Sequence, residues 1–276
     1  FGPPTWPLAH WLPEGARAVV VAPHPDDEVI GFGGLLAAHA RRGGSTCLLA
    51  VTDGEASHPH SRRWSESALA AERRRERCEG LSQLGLGRPD TDAAFDRDRA
   101  RPSWRSEEAT TDPVCTLHRC GLPDGQVERH VSELEAAIAA HLRPGDVLLT
   151  TWRLDGHPDH EATGAAVARV VARSGHRCIE APVWMWHWAR PDDPKVPWSR
   201  LAGHVLDDRA GHVKQKALAA HRTQLEAEGE GEDHGDEPWH RPGGERHSPV
   251  LGSQMVLRAA RRTEWFFDNP QPTSAR

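Results

Sequence analysis

The stretch that decides the fold is Ala18-Val-Val-Val-Ala22, followed by Pro23-His24-Pro25-Asp26-Asp27-Glu28 and a glycine-punctuated segment ending near Arg42. Five small or β-branched residues without polar alternation mark a strand buried on both faces. Such a strand belongs in a parallel sheet, because crossover helices cover both of its faces. The segment after it reads as a helix to about Arg42. Asp26, Asp27 and Glu28 stand at its start, where the helix macrodipole favours negative charge.

The same alternation continues outward. Strands are predicted at Thr46–Thr52, Val114–Cys120, Asp146–Trp152 and Arg177–Trp188, with helices near 67–84, 127–142, 159–174 and 211–226. Two short β pieces, Gln254–Leu257 and Trp265–Phe267, close the series, and the proline-rich first dozen residues look like a surface cover. Residues 86–113 and 189–208 read as loops. The fold class is therefore α/β: a Rossmann-like, mainly parallel sheet with helices on both faces. Ligands of such sheets bind at the carboxyl ends of strands. The whole chain, 1–276, reads as a single domain with its core at about 18–225.

Composition narrows the function. The chain has 276 residues and a formal net charge of −6. No basic stripe is present to hold phosphates, which disfavours a nucleic-acid partner. No apolar run approaches the roughly 20 residues of a membrane span. Without a leader pattern the chain reads as cytoplasmic, and its five cysteines, with no CxxC pair, read as reduced. Eight acids and two arginines lie between Glu226 and His247. That excess makes 226–247 an acidic surface loop, with a lid over the site as the sharper alternative.

Two of the strand-end loops carry the same chemistry. Pro23-His24-Pro25-Asp26-Asp27-Glu28 follows the first strand, and Asp155-Gly156-His157-Pro158-Asp159-His160 follows the strand ending at Trp152. Two imidazoles and a carboxylate converging from neighbouring strand ends form a three-ligand site for a divalent ion, and one with an open position suits catalytic zinc. The competing reading is helix capping by these acids, without metal. Two histidine-rich loops at corresponding strand ends favour the metal.

These motifs resemble the paired signatures of the LmbE-like (PIG-L) zinc-dependent N-deacetylases. Supporting pieces follow in family order: Thr52-Asp-Gly-Glu55, Arg73-x-x-Glu76, Leu122-Pro-Asp-Gly125, and Lys216-x4-His221-x2-Gln224. The resemblance implies His24, Asp27 and His160 as zinc ligands, with iron(II) as the other candidate metal. It also implies Asp26 as general base, His157 as general acid or oxyanion partner in its imidazolium form, and Asp159 as the group orienting an imidazole. Arg73 and Asp124 match positions near the substrate, while Glu28 and His221 are expected to support the site from behind.

The implied activity is removal of the acetyl group from an N-acetylglucosamine-type sugar in a glycoconjugate or small metabolite. Two other classes remain at this stage: a non-haem iron oxygenase using the same three donors, and a non-catalytic metal- or carbohydrate-binding relative. Trp184-Met-Trp-His-Trp188, read as strand, offers either an aromatic platform or a buried sheet face. The sequence leaves self-association open.

Overall fold

A computed structural model describes residues 2–87, 114–226 and 249–269. At its centre, β1 (Ala18–Ala22) sends alternate side chains into two opposite cores, as the period of two requires. Ala18, Val20 and Ala22 pack with Phe32 and Leu36 of α2 (Asp27–Arg41) and Leu81 of α3 (Glu66–Gln83). Val19 and Val21 pack with Leu134 and Ile138 of α4 (Val131–His141) and with Val167 and Val170 of α5 (Pro158–Ser174). Both faces are apolar because both are covered.

β1 lies between β2 (Thr46–Ala50) and β4 (Val147–Thr151), parallel to each, with Val20 level with Leu48 and Leu149. β3 (Cys115–Arg119) extends the sheet beyond β2, and β5 (Arg177–Ala181) extends it beyond β4. β7 (Thr263–Asn269) then runs antiparallel between β5 and β6 (Leu201–Val205). The order is β3-β2-β1-β4-β5-β7-β6. The chain turns one way from β1 to β2 and the other way at β4, so a crevice forms at their carboxyl ends. The two histidine-rich loops leave the sheet there.

The antiparallel end is tied to α2 by a buried ion pair. Lys214 on α7 (Asp208–Ala219) donates through Nζ to Ile30 O (2.8 Å) and to Glu264 Oε1 (2.7 Å). Glu264 on β7 accepts the Gly34 and Leu35 amides at 2.7 and 2.8 Å. Side chains from two elements thus bond the backbone of a third.

Several elements differ from the sequence-based expectation. Residues 184–188 are not strand: β5 ends at Ala181, and α6 (Met185–Trp188) is a helical turn. Its cause is distant, because Asp155 accepts the amides of Val183, Trp184 and Met185, each at 2.9 Å. Residues 254–257 lie in helix α9 (Ser253–Ala259), and 201–205, expected as loop, form β6. The late helix breaks at Ala220–His221 before the single turn α8 (Arg222–Leu225). At the amino end, α1 (Leu8–Trp11) places Trp11 edge-on against Phe266, 4.9 Å between centroids. Among the described residues no helix is long and apolar enough to cross a membrane. Residues 88–113, and the acidic stretch beyond Glu226, lie outside the described residues.

Candidate metal centre

Asp27 opens α2 and His24 stands three residues before it, so both side chains meet at the end of β1. Asp27 Oδ2 accepts the His24 amide at 2.9 Å and lies 3.2 Å from His24 Nδ1. From α5, His160 brings Nε2 to 3.2 Å from the same oxygen and 3.3 Å from His24 Nδ1. Three donor atoms thus form a near-equilateral triangle. Ligands about 2.0–2.1 Å from a tetrahedral ion stand about 3.3 Å apart, so the triangle matches one face of a zinc tetrahedron. The residues present fit the metal.

Carboxylates hold the outward nitrogens of both imidazoles, the usual support for metal-binding histidines. His160 Nδ1 lies 2.7 Å from Asp155 Oδ2, and His24 Nε2 lies 3.1 Å from Asp124 Oδ1 and 3.2 Å from Asp159 Oδ2. His24, Asp124 and Asp159 form a second group with donor spacing compatible with an ion. Their oxygens are already engaged, however: Asp159 accepts the amides of Gly125 (2.7 Å) and Val127 (3.1 Å), and Asp124 accepts that of Ala56 (2.9 Å).

Charge distribution follows from this packing. Burial alone would raise Asp27, but His160 and His24 outweigh it and hold the carboxyl well below the usual range. Burial works the other way on the imidazoles, and carboxylate partners overcome it: His160 rises to about 9, and His24 rises well above its ordinary value. Asp124 falls to about 2, because the hydrogen bond and charge of His24 exceed the effect of burial.

Asp26 precedes α2 with φ 124°, a conformation that side-chain-bearing residues rarely adopt. Its carbonyl accepts the Val29 and Ile30 amides at 2.9 and 2.8 Å, yet its carboxylate caps no helical N–H. Such strain persists only where the surroundings enforce it, and it collects at functional sites. The enforcing neighbour is Arg73, whose Nη2 donates to Pro25 O at 2.8 Å and to Asp26 Oδ2 at 3.3 Å. Its Nη1 donates to Gly54 O at 2.8 Å. Gly54, at φ 71°, leaves room for that guanidinium: a methyl group there would come within 1.9 Å of Nη1. Burial pushes Asp26 up to about 7, against the pull of Arg73 and with Asp27 adding to the rise.

His157 caps α5, its Nδ1 accepting the Asp159 amide at 3.2 Å, with Pro158 next in the first turn. When the ring is neutral, its proton is therefore on Nε2. One ring nitrogen each of His24, His157 and His160 lie within 4.8 Å of one another. Burial, then His160 and His24, push His157 down to about 4. The side chain of Asp159 reaches His24, and only its backbone amide touches His157.

Other expected site residues are placed differently. Arg73 is 2% exposed, and its Nη atoms donate to Gly54 O, Pro25 O and Asp26 Oδ2, which puts its charge beside Asp26. Asp124 accepts the Ala56 amide through Oδ2 and places Oδ1 3.1 Å from His24 Nε2. Glu28 pairs with Arg77 at 3.0 Å and ties α2 to α3 without touching the three donors. Neither ring nitrogen of His221 finds a hydrogen-bond partner, and burial, then Arg73 and Arg77, push it to about 3. It is a packed, neutral ring.

From the sequence Asp155 was quoted without a role of its own, and Trp184 was read only as part of the Trp184–Trp188 strand. Asp155 was visible only as a carboxylate five residues before a candidate ligand. Trp184 stands with its ring centroid 5.6 Å from that of His157, while Trp186 and Trp188 pack on Trp152, Met185 and Phe267.

The chain is similar to known proteins over most of its length. The family model described as "PIG-L: GlcNAc-PI de-N-acetylase" matches residues 19–171. A 1D-myo-inositol 2-acetamido-2-deoxy-alpha-D-glucopyranoside deacetylase of Corynebacterium efficiens is 30% identical over 240 residues, covering 76% of this chain and 73% of that protein. Its counterpart in Corynebacterium glutamicum is 32% identical over 234 residues, with 76% of each covered. Among solved structures, a deacetylase of the teicoplanin biosynthesis pathway aligns with TM-score 0.61 at 15% identity, covering 94% of this chain and 100% of that one. The N,N'-diacetylchitobiose deacetylase from Pyrococcus horikoshii aligns with TM-score 0.57 at 16% identity, covering 97% and 91%. These two show a shared fold. On its family match and its relatives at 30% identity or more, the chain belongs to the PIG-L (GlcNAc-PI de-N-acetylase) family.

Proposed function

We propose that this protein is a metal-dependent N-deacetylase that hydrolyses the acetamide of an N-acetylglucosamine-type sugar to acetate and a free amine. The observation that carries this reading is the triangle of His24 Nδ1, Asp27 Oδ2 and His160 Nε2, with edges of 3.2 to 3.3 Å, beside the strained carboxylate of Asp26. The names of the curated relatives, deacetylases of a 2-acetamido-2-deoxyglucoside, support the substrate class.

His24, Asp27 and His160 would hold the ion, and zinc suits this nitrogen and oxygen set. A divalent ion there supplies Lewis acidity toward the water and the acetamide carbonyl. Asp26 takes the proton of the attacking water, and its position near neutrality suits both accepting that proton and returning it to the departing nitrogen. The Nε2–H of neutral His157 supports the developing oxyanion of the substrate. Asp26 thus carries the proton from the water to the departing nitrogen, and His157 contributes a hydrogen bond.

The test is an acetate and amine assay of metal-loaded protein on a panel of N-acetylglucosamine glycosides. Equal release of acetate and primary amine is expected. Oxygen uptake without acetate, or no acetate from any glycoside with one metal bound per chain, would overturn the reading.

A further inference from the structure

A small cavity of about 40 Å³ lies between α2, α6, α9 and the start of β7. None of His24, Asp26, Asp27, His157 and His160 lines it, so it is no part of the metal centre. Ile30, Pro182, Trp186 and Met255 give it apolar walls, and Trp186 has its Nε1 committed to Pro182 O at 3.0 Å. Its charges come from Lys214, Arg258, Arg261 and Glu264. They do not balance. Glu264 accepts Lys214 Nζ at 2.7 Å and the Gly34 and Leu35 amides at 2.7 and 2.8 Å, so its oxygens are spent. Lys214 and Glu264 neutralise each other, and two guanidinium charges are left over.

Arg262, next in sequence, pairs with Asp208, whereas among the described residues no carboxylate pairs with Arg258 or Arg261. Nη1 of Arg258 is buried and has no hydrogen-bond partner. The carbonyl end of α9 favours a cation nearby, yet no carbonyl accepts from this nitrogen. A buried charged donor without an acceptor is costly, and interiors meet the need with a water or an ion. Water supplies the acceptor but leaves both charges unbalanced. An anion supplies acceptor and charge together, and apolar walls limit the screening of that attraction. The volume equals about three water-sized spheres. That suits a halide or a carboxylate group and is too small for a sugar or a nucleotide. We infer that the cavity binds one small monovalent anion, chloride or a carboxylate group, held by Arg258 and Arg261. The site goes beyond the deacetylase reading and does not depend on it.

The test is chloride NMR line broadening at constant ionic strength, with wild-type protein, Arg258→Met and Arg261→Met. Methionine keeps much of the stem and removes the charge. Saturable broadening is expected in wild type, with affinity about tenfold weaker in Arg258→Met. Sodium acetate and inorganic phosphate serve as competitors. Displacement by acetate supports a site that also takes carboxylates, and failure of acetate to displace supports a halide site. Broadening that does not saturate, or equal broadening in all three proteins, would overturn the site; the second result would place the chloride elsewhere, at a bound metal for instance. Phosphate binding more tightly than chloride would also overturn it. If the variants do not fold, wild-type crystals soaked in bromide decide the matter. An anomalous peak beside Arg258 Nη1 supports the site, and its absence overturns it. Acetate release is not the readout, so failure of the deacetylase reading would leave this result standing.

Discussion

His160 Nδ1 lies 2.7 Å from Asp155 Oδ2, with both side chains fully buried. The carboxylate is fixed by three backbone amides from residues 183–185, so it fixes the imidazole in turn. It orients Nε2 toward Asp27 and His24. Asp155→Asn keeps the size but replaces one acceptor oxygen with a donor facing other donors. Zinc affinity, read by competition with a chromophoric chelator, is expected to fall about 10- to 100-fold. An unchanged affinity would remove Asp155 from the metal centre.

Arg73 acts on Asp26 through a fork that a lysine lacks. Arg73→Lys is expected to leave metal content unchanged and to lower kcat about 100-fold, the cost of a misplaced reacting group. Arg73→Ala should also destabilise the fold, since Asp26 would remain buried without its counter-charge. Full turnover in Arg73→Lys would show that Asp26 is positioned by other contacts.

Arg73 also illustrates what the sequence could and could not disclose. α3 looks like a solvated, charged helix, yet Leu69, Ala70, Arg73, Glu76, Arg77, Gly80 and Leu81 form one buried stripe at helical spacing. The spacing was legible, but which charges would find buried partners was not. The strand-helix alternation and the two histidine-rich loops were readable because continuous apolar runs and His/Asp spacing are local signals. Trp184–Trp188 misled because tryptophans two apart imitate a strand. The amide-binding carboxylate that turns the chain there lies about thirty residues earlier. β6 was missed for a related reason: its partner β7 follows more than fifty residues later.

The buried pair Lys214–Glu264 joins α7, β7 and the middle of α2. Glu264→Ala leaves a buried ammonium and two amides without their acceptor. Urea unfolding should show a loss of about 3–5 kcal/mol. Glu264→Gln, which keeps an acceptor oxygen, should lose less. A loss below about 1 kcal/mol for Glu264→Ala would mean that the pair contributes no more than an exposed one.

His118 on β3 and His141 on α4 have ring centroids 4.2 Å apart. Burial, then His141 and Arg17, push His118 down to about 4. Its folded value is below its unfolded one, so its stabilisation is fully present above about pH 6.5 and is lost as pH falls toward 4. Between pH 7.5 and 5, Tm should therefore fall more for wild type than for His118→Gln. Equal falls would show that His118 does not couple folding to protons.

Metal content and acetate release measured together in Asp26→Asn test the central claim most directly. One metal per chain is expected to remain, because His24, Asp27 and His160 are intact, while turnover falls about 10²- to 10⁴-fold with the loss of the base. Full turnover with the metal bound would contradict the account.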